Sequence, residues 1–78
     1  MKKIEILGMG CAKCNELKAR AKKAVEELKV EAEIKEVSDM KVISSYGVFV
    51  TPAIVIDGVV KAAGRVASVE EIKGWLKS

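Results

Sequence analysis

The sequence predicts one α/β domain in which a mixed four-stranded sheet carries helices on both faces. Three observations support this: the chain has 78 residues, its apolar spacing alternates between strand and helix periods, and an Asp-Gly pair separates two apolar runs. The predicted order over residues 1–78 is β-α-β-α-β-β-α. A right-handed crossover would make the first two strands parallel, and the hairpin would add two antiparallel strands.

The first half of the chain contains three predicted elements. Residues 2–7, KKIEIL, alternate in part and predict a strand. Between about residues 12 and 29, apolar side chains recur at steps of three and four, which predicts a helix with one buried face. That face consists of Cys14, Leu17, Ala21, Ala24, Val25 and Leu28. Residues 30–37, VEAEIKEV, predict a second strand that ends near Glu36, where a charge falls on the apolar face.

A short helix and a central strand are predicted next. Ser38 is expected to cap a helix that runs to about Tyr46 and ends at Gly47. The following run AIVI, residues 53–56, has no polar alternation, as expected of a strand covered on both faces. Tyr46 and Phe49 are expected in the core, although together with Met9 they could instead form an apolar rim that receives a substrate.

A hairpin and a last helix complete the prediction. Asp57 and Gly58 form a dipeptide favoured in tight hairpin turns. Gly64 is expected to allow a bulge or a close helix approach at the end of the fourth strand. Ser68 and Glu71 have the spacing of a capping box, which predicts the start of the last helix. The apolar side of that helix consists of Val69, Ile72, Trp75 and Leu76.

Composition and charge exclude several function classes. The formal charge is +3, but the lysines are interspersed with glutamates and without aromatic residues, as on a solvated helix face rather than a nucleic-acid-binding surface. The amino-terminal MKKIEILG is interrupted by Glu5 and is too short for a signal sequence or a membrane span. We therefore expect a cytoplasmic protein with no nucleic-acid or membrane partner.

Both cysteines lie in GMGCAKCNE, residues 8–16, separated by two residues. A disulfide across so short a loop stabilises a fold by only about 2 kcal/mol, which argues against a structural bridge. In a reducing cytosol such a pair is more often catalytic or metal-binding. Structural zinc is disfavoured because the chain has two Cys and no His, half of the usual ligands.

The positions of the two cysteines predict different roles. Cys11 falls where the first strand passes into the first helix, and the positive end of a helix dipole favours a thiolate there. We expect its pKa to lie below the usual value of about 8.5 and Cys11 to be the exposed nucleophile. Cys14, one turn later on the buried stripe, would be the resolving thiol. Gly8 and Gly10 suit a close backbone turn at this point.

Three segments together resemble the thioredoxin-like superfamily, especially its small redox-active disulfide proteins of glutaredoxin size. They are GCAKC (10–14), YGVFVTPAIVIDG (46–58) and GRVASVEEIKGWL (64–76), and with the element order the resemblance covers nearly the whole chain. It implies a thioredoxin-like fold and a thiol-disulfide oxidoreductase. Such a protein exchanges a Cys11/Cys14 dithiol or disulfide with protein disulfides.

The resemblance also implies a substrate-binding element and partners. In that superfamily the residue before a cis-proline faces the CxxC motif, and its backbone pairs with the substrate; here these residues are Thr51 and Pro52. Gly10 and Lys13 complete the predicted substrate-binding set, with Lys13 adding positive potential near Cys11. No bound cofactor is expected beyond the redox-active disulfide. Electrons would come from a separate reductase of the thioredoxin-reductase type, and we expect a monomer.

The motif departs from ordinary thioredoxins and permits one alternative. Thioredoxins place tryptophan before the first cysteine and Gly-Pro between the two, whereas Gly10, Ala12 and Lys13 occupy those positions here. A glutathione-binding set is absent. GMGCAKC also resembles the loop of small heavy-metal-associated domains, Cu(I) chaperones that bind a soft ion through two thiolates. Those domains follow a strand, helix, strand, strand, helix, strand order and end on a strand. This sequence is predicted to end in an amphipathic helix and contains the Thr-Pro and Asp-Gly stretch, which favours the thioredoxin-like interpretation.

Overall fold

The predicted order of elements is confirmed by a computed structural model, which describes residues 2–8 and 12–77. The α/β fold class with a mixed four-stranded sheet is therefore correct. The elements are β1 (Lys2–Leu7), α1 (Ala12–Leu28), β2 (Ala32–Val37), α2 (Met40–Ser45), β3 (Ala53–Ile56), β4 (Val59–Ala63) and α3 (Val69–Lys77).

The sheet has the strand order β2-β1-β3-β4, so β1 and β3 are the inner strands. β1 runs parallel to β2 and antiparallel to β3, and β3 runs antiparallel to β4. All four residues of β3 are buried, as its unbroken apolar run predicts. The inner strands thus bring the end of β1 beside the start of β3, with Leu7 opposite Ala53.

Helices cover both faces of the sheet, as predicted. On one face, α1 packs against α3 and both bury apolar residues from alternate positions of the inner strands. This cluster includes Ile4, Ile6, Leu17, Ile54, Ile56 and Ile72. The other face carries α2, in a smaller cluster of Leu7, Val37, Ile43, Val48, Ala53 and Val55. Cys14 lies on the buried side of α1, the side that faces the sheet.

Two local predictions are confirmed in atomic detail. Asp57 and Gly58 have φ values of 50° and 82°, the two positive values that a tight type I′ hairpin turn requires. At the start of α3, the Glu71 N–H donates to Ser68 Oγ at 3.1 Å, and the Ser68 N–H donates to Glu71 Oε1 at 3.2 Å. These reciprocal bonds are the capping box, and both were predictable because they depend on neighbouring residues alone.

The boundaries of β2 and α2 differ from the prediction by one or two residues. Asp39, not Ser38, caps α2, because its side chain accepts the Lys41 N–H at 2.9 Å. β2 begins at Ala32 rather than Val30, since the Val30 N–H donates back to Val25 O, in α1, at 3.4 Å. At its other end β2 continues through Glu36 to Val37, and the exposed Glu36 carboxylate lies 2.9 Å from Lys18 Nζ.

The prediction for Gly64 is wrong in its detail. The bulge of β4 lies earlier: the register shifts where Ile54 and Val55 face Ala62 and Val60, which leaves Lys61 as the extra residue. Gly64 instead has a φ of +78°, a conformation that favours glycine. A Cβ there would come within 3.0 Å of Val50 Cγ2, so the close approach is to the chain before β3 and not to a helix.

Candidate functional site

Cys14 is the first buried residue of α1, two residues after the helix begins at Ala12. Its exposure is 5%, and the same buried stripe continues through Leu17, Ala21 and Ala24. The predicted placement of Cys14 on the inner face of the first helix is therefore confirmed. The predicted nucleophile Cys11 lies outside the described residues, as do Gly10 and Met9.

The end of β1 provides the surface against which Cys14 packs. Gly8 is buried directly after β1, and its N–H donates to Val37 O at 2.9 Å. A Cβ built on Gly8 would overlap Cys14 Sγ and would lie 3.3 Å from Cys14 Cβ. The same point lies 3.9 Å from Thr51 Cβ. The Cys14 sulfur and the Thr51 side chain therefore flank one small space beside Gly8.

Thr51 and Pro52 form the chain segment opposite Cys14. Their peptide bond is cis, Pro52 is fully buried, and Thr51 is exposed. The Gly64 N–H donates to Pro52 O at 2.8 Å, which ties this segment to the end of β4. Lys13 is exposed on the first turn of α1. The structure thus places Thr51 near Cys14, at the space beside Gly8.

Phe49 is not in the core, so its predicted burial is wrong. It is 85% exposed, and the adjacent Val50 is 58% exposed. In this segment Val48 is the residue that packs in the α2 cluster. Phe49 follows it in the irregular chain between α2 and β3, outside any helix or strand. Of the three residues expected to form an apolar rim, the structure exposes Phe49, and Met9 lies outside the described residues. Phe49 and the adjacent Val50 form an exposed apolar pair just before Thr51, which we call the apolar rim.

Tyr46 is half-buried and packs against the α2 cluster, as expected of a core residue at its margin. Its hydroxyl donates to Glu5 Oε1 at 2.9 Å. The Glu5 carboxylate that accepts this bond raises the pKa of Tyr46, because losing the proton would place two negative charges side by side. Tyr46 therefore links α2 to β1 and is not part of the exposed rim.

An ion pair fixes the loop that follows Gly64. Arg65 donates two hydrogen bonds to the Glu71 carboxylate, at 2.9 and 2.8 Å. These bonds, together with the Ser68 N–H, hold the pKa of Glu71 at about 2, below its ordinary value of 4.5. Since Gly64 contacts Val50 and binds Pro52 O, this polar link stabilises the loop that supports the segment opposite Cys14.

The described residues contain neither a cluster of three metal-binding side chains nor a membrane-spanning helix. Within residues 2–8 and 12–77 there is no group of three or more Cys, Asp or Glu side chains placed to hold a metal ion. In the same ranges no helix is long and apolar enough to cross a bilayer. The element order also differs from the heavy-metal-associated domains, because α2 separates β2 from β3.

Comparison with known proteins identifies the family. The family model described as "Thioredoxin domain" matches residues 2–77. A thioredoxin of Methanocaldococcus jannaschii is 51% identical over 75 residues, which cover 96% of this chain and 86% of the relative. A thioredoxin of Methanothermobacter thermautotrophicus is 45% identical over 73 residues, covering 94% and 95% respectively. The chain therefore belongs to the thioredoxin family and is, at the level of that family, a thiol-disulfide oxidoreductase.

Proposed function

We propose that this protein exchanges a dithiol with protein disulfides, with Cys11 as the nucleophile and Cys14 as the resolving thiol. The observation that carries the proposal is the packing of Cys14 Sγ beside Gly8 and within reach of Thr51, next to an exposed apolar rim. Cys14 is 5% exposed, so a large substrate has little access to its sulfur. That burial suits a thiol that attacks from within the protein, and it leaves the first attack to Cys11.

The proposed reaction has two exchange steps. The Cys11 thiolate attacks one sulfur of the substrate disulfide, forming a mixed disulfide and releasing the other substrate sulfur as a thiolate that takes a proton from solvent. Cys14 then loses its proton to solvent and attacks the Cys11 sulfur, which releases the second substrate sulfur as a thiolate that also takes a proton from solvent. The substrate gains two electrons and two protons, and the protein ends with a Cys11–Cys14 disulfide.

The substrate is proposed to lie along the segment before β3. Thr51 is exposed there, and the exposed Phe49 and Val50 offer apolar contact to the polypeptide around a target disulfide. Gly10 and Lys13 flank Cys11 and Cys14 in sequence and are assigned to the same binding surface. We further propose that a separate reductase of the thioredoxin-reductase type returns the disulfide to the dithiol without a cofactor bound to this chain, and that the protein acts as a cytoplasmic monomer.

Trapping of the mixed disulfide tests the two roles. Cys14→Ser should accumulate a covalent complex between Cys11 and a reducible protein disulfide, because nothing is left to resolve it. Cys11→Ser is the matched control, since it also removes one sulfur but should form no complex and reduce no disulfide. Mass spectrometry of the products, with and without dithiothreitol, identifies the linkage. Full disulfide reduction by Cys11→Ser would contradict the proposal.

One observation keeps a second function testable: the GMGCAKC motif also resembles a Cu(I)-binding loop. Two thiolates suffice for a soft monovalent ion, so such a site would need only Cys11 and Cys14. A protein of this kind would bind one Cu(I) per chain in competition with a chelator of known affinity and would reduce no protein disulfide. Disulfide reduction without competitive Cu(I) binding would exclude it.

A further inference from the structure

We propose that Gly8 is a positioning residue for the second exchange step. Because it has no side chain, it leaves room for Cys14 Sγ in the observed position, which a side chain at position 8 would exclude. This inference rests on the proposed function, since it concerns the thiol that resolves the mixed disulfide. It adds a residue outside the CxxC motif and outside the Thr-Pro segment.

The need for glycine at this position is steric rather than conformational. Gly47, Gly58 and Gly64 have positive φ values, whereas the φ of Gly8 lies outside the left-handed region. A left-handed φ is therefore not what requires glycine at position 8. What a side chain meets is Cys14: an added Cβ would overlap Sγ and lie 3.3 Å from Cys14 Cβ, a very close contact for two carbon atoms.

The backbone at Gly8 has little freedom to make room. Its N–H is bonded to Val37 O at 2.9 Å. The preceding Leu7 pairs with Val37 of β2 and with Ala53 of β3, so a neighbouring strand holds each edge of β1 just before Gly8. Moving Gly8 away from α1 would disturb the middle of the sheet. The crowded group that can move is therefore the Cys14 side chain.

Cys14 can respond by changing its rotamer, and that response has a chemical cost. Its backbone is held in α1, so its sulfur is restricted to a few staggered positions, one of which is rare in helices. A side chain at position 8 occupies the observed position and forces the sulfur into another. Disulfide formation needs a narrow range of Cβ separation and torsion angle, so a displaced sulfur is poorly aimed at Cys11.

The two exchange steps should therefore respond differently to a side chain at position 8. The first attack is made by Cys11 and does not involve the Cys14 sulfur, so its rate should change less than about twofold. Resolution depends on the alignment of Cys14, and a misplacement of about 1 Å can slow a reaction by about a hundredfold. We expect Gly8→Ala to lengthen the lifetime of the mixed disulfide by about ten- to a hundredfold.

Rapid-quench kinetics of Gly8→Ala with a protein disulfide measures the two steps separately. Gly58→Ala is the control: it also places a methyl group on a glycine, at a φ of +82°, but in the hairpin turn where the added atom meets nothing within 4 Å. It should be less stable than the wild type and resolve the mixed disulfide at the wild-type rate. A general loss of stability would therefore not explain slow resolution in Gly8→Ala.

A stability cycle tests the contact independently of the chemistry. If the added methyl group clashes with Cys14 Sγ, Gly8→Ala should clearly lower the midpoint of urea unfolding in the wild-type background. In a Cys14→Ala background the same substitution should lower it much less. If Gly8→Ala alone fails to fold, recovery of folding in the double variant supports the contact, and failure in both backgrounds overturns it. An equal loss in both backgrounds also overturns it.

The outcomes separate this inference from the proposed function. If Cys14→Ser forms no mixed disulfide with the wild-type residue at position 8, the proposed function fails and the positioning role fails with it. If Cys14→Ser forms the complex but Gly8→Ala resolves its own complex at the wild-type rate, only the positioning role of Gly8 is overturned.

Discussion

The two ends of the inner strand pair, β1 and β3, differ in the kind of contact that they make. At the hairpin end, defined by Lys2, Lys3, Asp57 and Gly58, polar groups bind one another. The Lys3 N–H donates to Asp57 Oδ1 at 2.9 Å, the Asp57 N–H donates to Lys3 O at 2.8 Å, and Lys2 Nζ lies 3.4 Å from Asp57 Oδ2. The Lys3 N–H and the Lys2 ammonium lower the pKa of Asp57, which keeps the carboxylate charged in this turn.

At the cysteine end, defined by Gly8, Cys14, Phe49 and Thr51, the contacts are of another kind. A buried thiol rests against a glycine, and Phe49 is 85% exposed beside an exposed Thr51. Exposing a phenylalanine forgoes about 1.5–3 kcal/mol of burial, so this arrangement does not stabilise the chain by itself. One end of the sheet is thus closed by polar bonds, whereas the other leaves an exposed apolar surface, to which we have proposed that the substrate binds.

The largest expected effect is on stability at the hairpin end. Ile56, the last residue of β3, is 3% exposed, and Ile56→Ala should lower the free energy of unfolding by about 2–5 kcal/mol because it leaves a cavity. Urea unfolding measures this, with Val59→Ala, at the exposed position opposite Ile56, as control. Disulfide reduction per folded molecule should be unchanged. A loss of activity in fully folded Ile56→Ala would contradict the separation of stability and activity between the two ends.

A smaller effect, on activity, is expected at the cysteine end. Phe49→Ala should change the free energy of unfolding by less than about 0.5 kcal/mol, because the side chain is exposed. Its kcat/KM with a protein disulfide should fall about tenfold, the loss of about 1.4 kcal/mol of binding from an aromatic anchor. Reduction of a small aromatic disulfide should be unaffected.

Val59→Ala serves again as the matched control for Phe49. Val59 is 54% exposed but lies at the hairpin end, so its truncation should leave kcat/KM with both disulfides unchanged. Equal losses in Phe49→Ala and Val59→Ala, or an equal loss with the small disulfide, would show that Phe49 does not contact a polypeptide substrate.

The smallest expected effect is on pH dependence near the cysteine end. The bonds from Arg65 and Ser68 lower the pKa of Glu71 from 4.5 to about 2, so the folded state prefers the charged carboxylate. Its contribution to stability is therefore complete above pH about 4.5 and is lost as pH falls from there toward about 2. Above pH 4.5, Glu71→Gln should be less stable than the wild type by a constant amount, and this difference should shrink in acid. An NMR titration midpoint of Glu71 near 4.5 would contradict this account.

Features that depend on neighbouring residues could be predicted from spacing alone, whereas the position of Thr51 opposite Cys14 could be expected only from the family resemblance. The Ser68–Glu71 box and the Asp57-Gly58 turn involve residues at most three apart, so spacing identified them. The cap of α2 was missed by one residue because Ser38 and Asp39 are both good caps and only the path of the chain after β2 decides between them.

The misses at the cysteine end have the same physical origin. Phe49 stands in an apolar run and is therefore expected in the core, but only the folded chain shows that Val48 packs in the α2 cluster and that Phe49 is exposed. The glycines near Cys11 were assigned to a turn, but the contact of Gly8 with Cys14 depends on how closely α1 packs on β1, which spacing does not report. The order of elements and the buried β3, by contrast, follow from local signals: apolar spacing, capping residues, the Asp-Gly turn and the unbroken AIVI run.

An equilibrium redox titration measures whether the cysteine end carries the proposed two-electron dithiol-disulfide couple. The protein is equilibrated in buffers of defined dithiothreitol potential, quenched with an alkylating reagent, and its labelled thiols are counted by mass spectrometry. The account predicts that Cys11 and Cys14 lose their label together in monomeric protein, with a tenfold change in the ratio of the two forms for each change of about 30 mV. Cysteines that stay fully labelled under oxidising conditions, or that oxidise only between chains, would contradict it.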